Sequence, residues 1–285
     1  MAEQEQSSFG CPDCVVKLGG AAITRKDAFE TLDEITLGKV VEHVRRLRKE
    51  KPKYKLILIH GAGSFGHFQA KKHGVQGGDL KDQAVVSGFA QTRVSVTKLN
   101  HAVVEALVQQ GIPAVSISPL SFYSNGSDGV DGPRTELVKG LLENGFVPVI
   151  HGDAVLQSGS KSMILSGDKI VFHMTVALKP RFCLFLSNVH GIYSKPPELE
   201  GARLLRRFDL TMDKKESPEF TTMHAHDTTG GMEAKVSDAS KIAIRGYDVL
   251  ITKAGSDAAF EALSDFKLCI DNPKWNGTHV VPLEK

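Results

Sequence analysis

The chain has 285 residues, of which 24% are charged and 41% hydrophobic, and its formal net charge is +2 at pH 7. That composition is ordinary for a globular protein of one large α/β domain or two smaller ones, long enough to bury a sizeable core. A balance this close to neutrality gives no electrostatic case for nucleic acid as the main partner, and no apolar run approaches the ~20 residues of a membrane span.

The first residues, MAEQEQSSFG, are polar and acidic, with neither the apolar core of a secretory signal nor the arginines of a transit peptide. Residues 1–12 are therefore read as a disordered extension of a cytoplasmic protein, and 13–285 as the folded part. Cys11 and Cys14 form a C-x-x-C pair, but the other cysteines, Cys183 and Cys269, are far apart and complete no zinc site. Cys14 opens an apolar run, where cysteine acts as a small hydrophobe.

Taken in order, Cys14 to Leu18 predicts a first strand, ending in Gly19 and Gly20. Leu32 to Lys49 has helical spacing of Ile35, Val40, Val44 and Leu47, and Pro52 stops it. Leu56 to Ile59 is a short apolar run suited to a strand buried on both faces. The glycine turn of HGAGSFGH leads into a short helix near Phe65 to Lys71. A long helix is predicted over Lys81 to Gln110, broken or capped near Gly88 and ended by Gly111. Ile112 to Ile117 is a third strand, Pro119 to Gly132 reads as an irregular loop, and Leu137 to Asn144 fits helix or strand. Phe146 to Ile150 and Ala154 to Leu156 read as two strands flanking HGD, a hairpin or bend. Lys169 to Leu178 is a helix opened by Gly167 and Asp168, and Arg181 to Leu186 a strand. After the polar stretch Arg203 to Glu219 come a helix over Gly231 to Arg245, a strand over Tyr247 to Thr252, a helix over Asp257 to Leu263 and a strand near His279 to Val281.

Strands alternate with helices nearly throughout, which predicts a mainly parallel sheet with helices on both faces. Ligands in such sheets sit outside the carboxyl ends of the strands. Lys17 to Gly20, His60 to Gly66, His151 to Asp153 and Asn188 to Tyr193 all follow predicted strands, so one site can gather them.

Lys17 stands directly before Gly19 and Gly20, a point charge beside backbone amides that can cradle phosphate oxygens. There is no G-x-x-x-x-G-K-S/T run. Gly61 to Gly66 formally matches G-x-G-x-x-G, but Asp79 and Asp82, near the expected spacing for a ribose-binding acid, precede a helix. His67 falls one turn into a helix whose start offers free amides, where an imidazole can pair with a phosphate. Asp168 reads either as a helix cap or as the carboxylate that holds lysines in place. Thr228 to Met232 and Lys235 repeat the glycine-then-helix layout. His224 and His226, with Asp227, can be read as metal ligands, but they lie in a polar loop without a further clear ligand, and no metal ligand is assigned.

These stretches together resemble the amino acid kinase superfamily, and within it the isopentenyl phosphate kinases of plant type. The parts that carry the resemblance are KLGGAAIT with Lys26 nine residues after Lys17, HGAGSFGH, PVIHGDAV, SGDKI and TGGMEAK. It implies an open αβα sandwich, a homodimer, and transfer of phosphate from ATP with Mg²⁺ to isopentenyl phosphate and to dimethylallyl phosphate, feeding isoprenoid biosynthesis by the mevalonate route. It divides the chain into an acceptor-binding lobe, 13–160, and a nucleotide-binding lobe, 161–285. By resemblance, Lys17 and Lys235 bind ATP phosphates, Lys26 stabilises the transferring group, and Gly19, Gly20 and Gly63 lend amides. Ala62, Gly63, His67 and Gly152 hold the acceptor phosphate, Asp168 orients the lysines, and Asn188, Gly191, Tyr193 and Gly230 line the nucleotide. The family often has G-G-G where this chain has Gly61-Ala62-Gly63, and D-V-D-G-I/V-Y where it has Asn188-Val189-His190-Gly191-Ile192-Tyr193. Val75, Val86, Phe89 and Ala90 are candidates for the wall around the acceptor's apolar tail, or for ordinary core. The competing expectations are a carboxylate or carbamate kinase, which calls for an arginine clamp, and a nucleotide-binding sensor without turnover.

Overall fold

The computed structural model describes residues 11–25, 27–126, 129–133, 135–157, 159–210 and 231–282. The chain starts with β1 (Cys14–Leu18), a four-residue helix α1 (Gly20–Ile23), α2 (Glu34–Glu50), β2 (Leu56–His60), α3 (Gly63–Lys72), α4 (Gln83–Gln109) and β3 (Ala114–Ile117). β1 and β2 are buried along their whole length, as expected for strands covered on both faces. Asp33 caps α2 by accepting from the Thr36 N–H, which places the helix start just after the predicted one. α4 runs unbroken through Gly88, where a break was expected. A side chain there would meet His73 Cβ at 2.0 Å, so this glycine lets α4 and the end of α3 pack closely instead of kinking the helix.

Gly38 in α2 is the opposite case: a β-carbon there would meet nothing within 4 Å. Gly38→Ala removes backbone freedom from the unfolded chain and is expected to add ~0.5–1 kcal/mol of stability in urea or thermal unfolding.

The segment read as an irregular loop instead forms α5 (Pro119–Phe122) and a hairpin of β4 (Tyr123–Gly126) and β5 (Gly129–Pro133). The ambiguous stretch is a helix, α6 (Thr135–Glu143), and β6 (Val147–His151) follows. The hairpin next to HGD is not made by β6. It joins β7 (Asp153–Gln157) to β8 (Lys161–Leu165), a strand absent from the sequence reading, and so spans position 160. Then come α7 (Gly167–Leu178), β9 (Phe182–Ser187), β10 (Arg207–Phe208), α8 (Gly231–Ile244), β11 (Asp248–Lys253), α9 (Asp257–Ser264), the unanticipated α10 (Phe266–Asp271) and β12 (Gly277–Val280). Of the expected N-terminal extension, only Cys11 and Pro12 are among the described residues.

Eight strands form the central sheet in the order β10-β12-β11-β9-β1-β2-β6-β3. All pairings are parallel except β11 with β12. Alternate side chains of β1 feed two separate cores. Cys14, Val16 and Leu18 join residues of α2, α4, α9 and α10; Val15 joins residues of α6, α7 and α8. The fold is therefore the expected αβα sandwich around a mainly parallel sheet. Lys17 has the parity of Val15, which sends its side chain towards α7.

Candidate active site

Leu18 is the register partner of both His60 and Leu186, and His60 of His151, so β9, β1, β2 and β6 end in one line. The turns after β1 and β2 leave the sheet in contact. A β-carbon on Gly20 would lie 2.3 Å from Gly63 N, closer than any side chain permits, and Gly63 itself has φ +51°. Thr24 closes this contact: its Oγ1 donates to Gly20 O at 2.8 Å and accepts from the Ser64 N–H at 3.0 Å. The N-cap of α3, Ala62, has no side chain able to cap it. The Ser64 and Phe65 amides are engaged by Thr24 Oγ1 and Ala62 O, while those of Ala62 and Gly63 find no acceptor among the described residues. The start of α3 thus presents donors and the positive end of a helix dipole.

Lys17 is 7% exposed, and its Nζ lies 2.6 Å from Asp168 Oδ1. Of the two readings of Asp168, the cap is excluded: Ser166 is the N-cap of α7, its hydroxyl accepting from the Lys169 N–H. Asp168 is left to pair with Lys17, which also stands 5.8 Å from the centre of the Phe185 ring. The turn after β6 joins the same place, since a β-carbon on Gly152 would lie 3.4 Å from Gly167 N and 3.6 Å from Ala62 N. The Gly19 and Gly152 amides are spent inside the fold, on Leu186 O and His60 O. The amide expected of Gly19 is therefore not available to a phosphate, and what glycine supplies at Gly19 is room for the close approach to Leu186 O, 3.1 Å from its would-be β-carbon.

Two buried histidines stand behind these turns. His60 Nδ1 is 3.0 Å from Gly61 O and His151 Nδ1 is 3.1 Å from Gly152 O. The rings stack with centres 5.8 Å apart. Burial pushes His60 down to about 3 and His151 to about 4, so both are neutral near pH 7. Folded values below the ordinary 6.5 mean that stability is complete above that pH and drains away as the pH falls, by ~1.4 kcal/mol per pH unit for each ring. Asp153 acts with the opposite sign: burial raises it from 3.8 to about 6, against the pull of Arg93. Two imidazoles outweigh one carboxyl, so urea unfolding is expected to show stability falling steadily from pH 6.5 towards pH 4. A flat profile over that range would contradict this assignment.

Sequence reasoning missed the pair beside Gly152. Arg93, reaching from α4, donates from Nε to Asp153 Oδ2 at 3.1 Å and from Nη2 to Ser118 Oγ at 2.9 Å. That reasoning gathered His60 and His151 at the strand ends without a role for either, and gave Thr24 none.

The remaining expected residues fall as follows. His67 sits half-buried on α3, one turn after Gly63. Asn188 is exposed just beyond β9, Gly191 is buried against Thr278, and Tyr193 bridges to Leu204. Lys235 lies on α8, but its side chain is outside the described residues, as are Lys26, Gly230, His224, His226 and Asp227. Around position 26, Thr24 bridges to Leu32 and the Arg25 N–H donates to Thr31 O. Of the suggested tail contacts, Val75 is core, Phe89 is half-buried, and Val86 and Ala90 are exposed. Among the described residues no group of three His, Cys, Asp or Glu could hold a metal, and all four cysteines are free thiols.

The amino acid kinase family model matches residues 14–253. The chain is 38% identical to isopentenyl phosphate kinase of Arabidopsis thaliana, over 88% of this chain and 90% of that one. It is 34% identical to isopentenyl phosphate kinase of Methanothermobacter thermautotrophicus, over 84% and 90%. Glutamate 5-kinase of Bacteroides thetaiotaomicron is more distant, at 23%. Among solved structures, the T. acidophilum isopentenyl phosphate kinase product complex superposes with a TM-score of 0.74 at 25% identity, over 94% of this chain and 99% of that one.

Proposed function

The chain belongs to the amino acid kinase family, and from that premise we propose that it transfers the terminal phosphate of ATP to isopentenyl phosphate, giving the diphosphate used in isoprenoid synthesis. The observation that carries this reading is a buried lysine, fixed by Asp168, beside two glycine turns in backbone contact at the strand ends. Dimethylallyl phosphate, of the same size and charge, is the second acceptor.

A phosphate monoester has its second pKa near 6, so its attacking oxygen is already an anion at neutral pH and needs no carboxylate base. It does need relief from the repulsion between two polyanions brought into line, so catalysis is positioning and electrostatics. In this reading Lys17 and Lys26 meet the transferring phosphate and Asp168 keeps Lys17 aimed. The Ala62 and Gly63 amides and His67 hold the acceptor phosphate, and Gly152 leaves room for it. Gly19, Gly20, Asn188, Gly191, Tyr193, Gly230 and Lys235 take the nucleotide. The acceptor lobe is the half of the chain bearing β1, β2, β3 and β6; the nucleotide lobe is the half that begins near α7. The reading also takes the active form to be a cytoplasmic homodimer in the mevalonate route. No described helix is long and apolar enough to cross a membrane.

Among the described residues no group of carboxylates, histidines and cysteines fits a protein-held metal, and the carboxylates at the turns, Asp168 and Asp153, are paired with Lys17 and Arg93. In this reading magnesium comes with the ATP phosphates as their counter-ion, and no step is routed through it. A carboxylate kinase would need a free arginine clamp, but Arg93 is held by Asp153 and Ser118. ADP release measured with isopentenyl phosphate, with acetylglutamate and without acceptor tests the reading. Turnover with isopentenyl phosphate alone is expected; release at the no-acceptor rate would overturn it.

A further inference from the structure

We infer that His60 is a positioning residue whose Nδ1–H, by holding the Gly61 carbonyl, turns the Ala62 amide out to receive the acceptor phosphate. A trans peptide is planar, with its C=O and N–H on opposite sides. Gly61 O can only accept, so the atom facing it, His60 Nδ1, carries the hydrogen. Drawing Gly61 O towards the ring points the next N–H, that of Ala62, the other way. That amide finds no acceptor among the described residues and lies beside the notch left by Gly152.

The groups on the other side of the ring, from two other elements, fit this tautomer. Asn100, on α4, stands 3.0 Å from His60 Nε2 through its amide nitrogen, which can only donate. Ser116, on β3, donates to Asn100 Oδ1. The hydrogen bonds thus run one way, from Ser116 to Asn100 to His60 to Gly61 O. His60 and Asn100 are buried, while Ser116 stands at an exposed position of β3. His151 stacks on His60 and makes the same bond to Gly152 O. Both strand ends carry His followed by Gly, and in both the ring holds the glycine carbonyl.

This inference rests on the kinase reading only for its choice of acceptor. The discriminating variants are His60→Leu, which removes the donor, and His60→Asn, whose Nδ2 stands where Nδ1 stood. His60→Leu is expected to lower kcat/KM for isopentenyl phosphate by about 10²-fold, mostly through KM for the acceptor and with KM for ATP unchanged, the scale of a misplaced binding group. His60→Asn should restore most of it. Long-range ¹H–¹⁵N spectra of histidine-labelled protein should show His60 as the Nδ1–H form, and the Ala62 amide should shift when inorganic phosphate is added. These spectra need no turnover, and they decide the matter even if His60→Leu does not fold. An Nε2–H tautomer, an unshifted Ala62 amide, or a His60→Asn as impaired as His60→Leu would overturn the inference. A wild-type protein whose Ala62 amide shifts but which does not turn over isopentenyl phosphate would sink the kinase reading instead.

Discussion

Lys17→Met is expected to lower kcat by about 10²–10³-fold, ~3–4 kcal/mol in the barrier, while the fold persists. The size follows from where the charge sits. Lys17 is buried between the end of β1 and the start of α7, with its ammonium 2.6 Å from Asp168. A cation held in place there costs no reorganisation when charge develops on the transferring phosphate. Water and mobile surface lysines cannot replace it. Methionine matches the stem, so the strand, buried on both faces, keeps its packing. Lys17→Arg should also fail, because a planar fork cannot stand where a compact ammonium does. Asp168→Asn should cost less than Lys17→Met in the same assay, since the charge survives and only its aim is lost. Initial rates of ADP release, with circular dichroism to confirm folding, make the measurement. Wild-type turnover by Lys17→Met would remove Lys17 from the chemistry.

What could be read from the sequence was local. CVVKL and LILIH declare buried strands by their own apolar runs, and the glycines beside Lys17 declare a phosphate turn within a few residues. The missed elements lack such a signal. β4 and β5, YSNG and GVDGP, have turn composition and are strands only because they pair with each other. β8 exists because Lys161–Leu165 zips back onto β7. The missed site residues act across long separations: Thr24 on Ser64, Asn100 on His60, Arg93 on Asp153. A motif read along the chain gathers Ser64, His60 and Asp153 at the strand ends but does not pair them with the residues that reach them from elsewhere. Gly88 misled for the same reason, since the His73 side chain that requires it comes from another helix.

Gly20→Ala is the other substitution expected to have a large effect, and its cause can be separated from that of Gly63→Ala. A β-carbon on Gly20 would overlap Gly63 N at 2.3 Å and Gly63 Cα at 2.7 Å. Both are backbone atoms, and neither can turn aside. The two turns must part by about 1 Å, a displacement that costs about 10²-fold in rate when it separates groups acting on one transition state. Overpacking adds ~1–3 kcal/mol of lost stability. In Gly63→Ala the tightest overlap is with a side chain, Thr24 Oγ1 at 2.1 Å, beside a lesser one with Gly20 O at 2.8 Å and the strain of φ +51°. Removing Thr24's side chain should therefore relieve part of the Gly63→Ala defect. In a double-mutant cycle by urea unfolding, Thr24→Ala combined with Gly63→Ala should lose less than the sum of the two. Thr24→Ala combined with Gly20→Ala should show no such relief, because the atoms in conflict there belong to the main chain. Equal coupling in both cycles would mean that Thr24, and not the direct contact of the two turns, sets the spacing between the β1 and β2 loops.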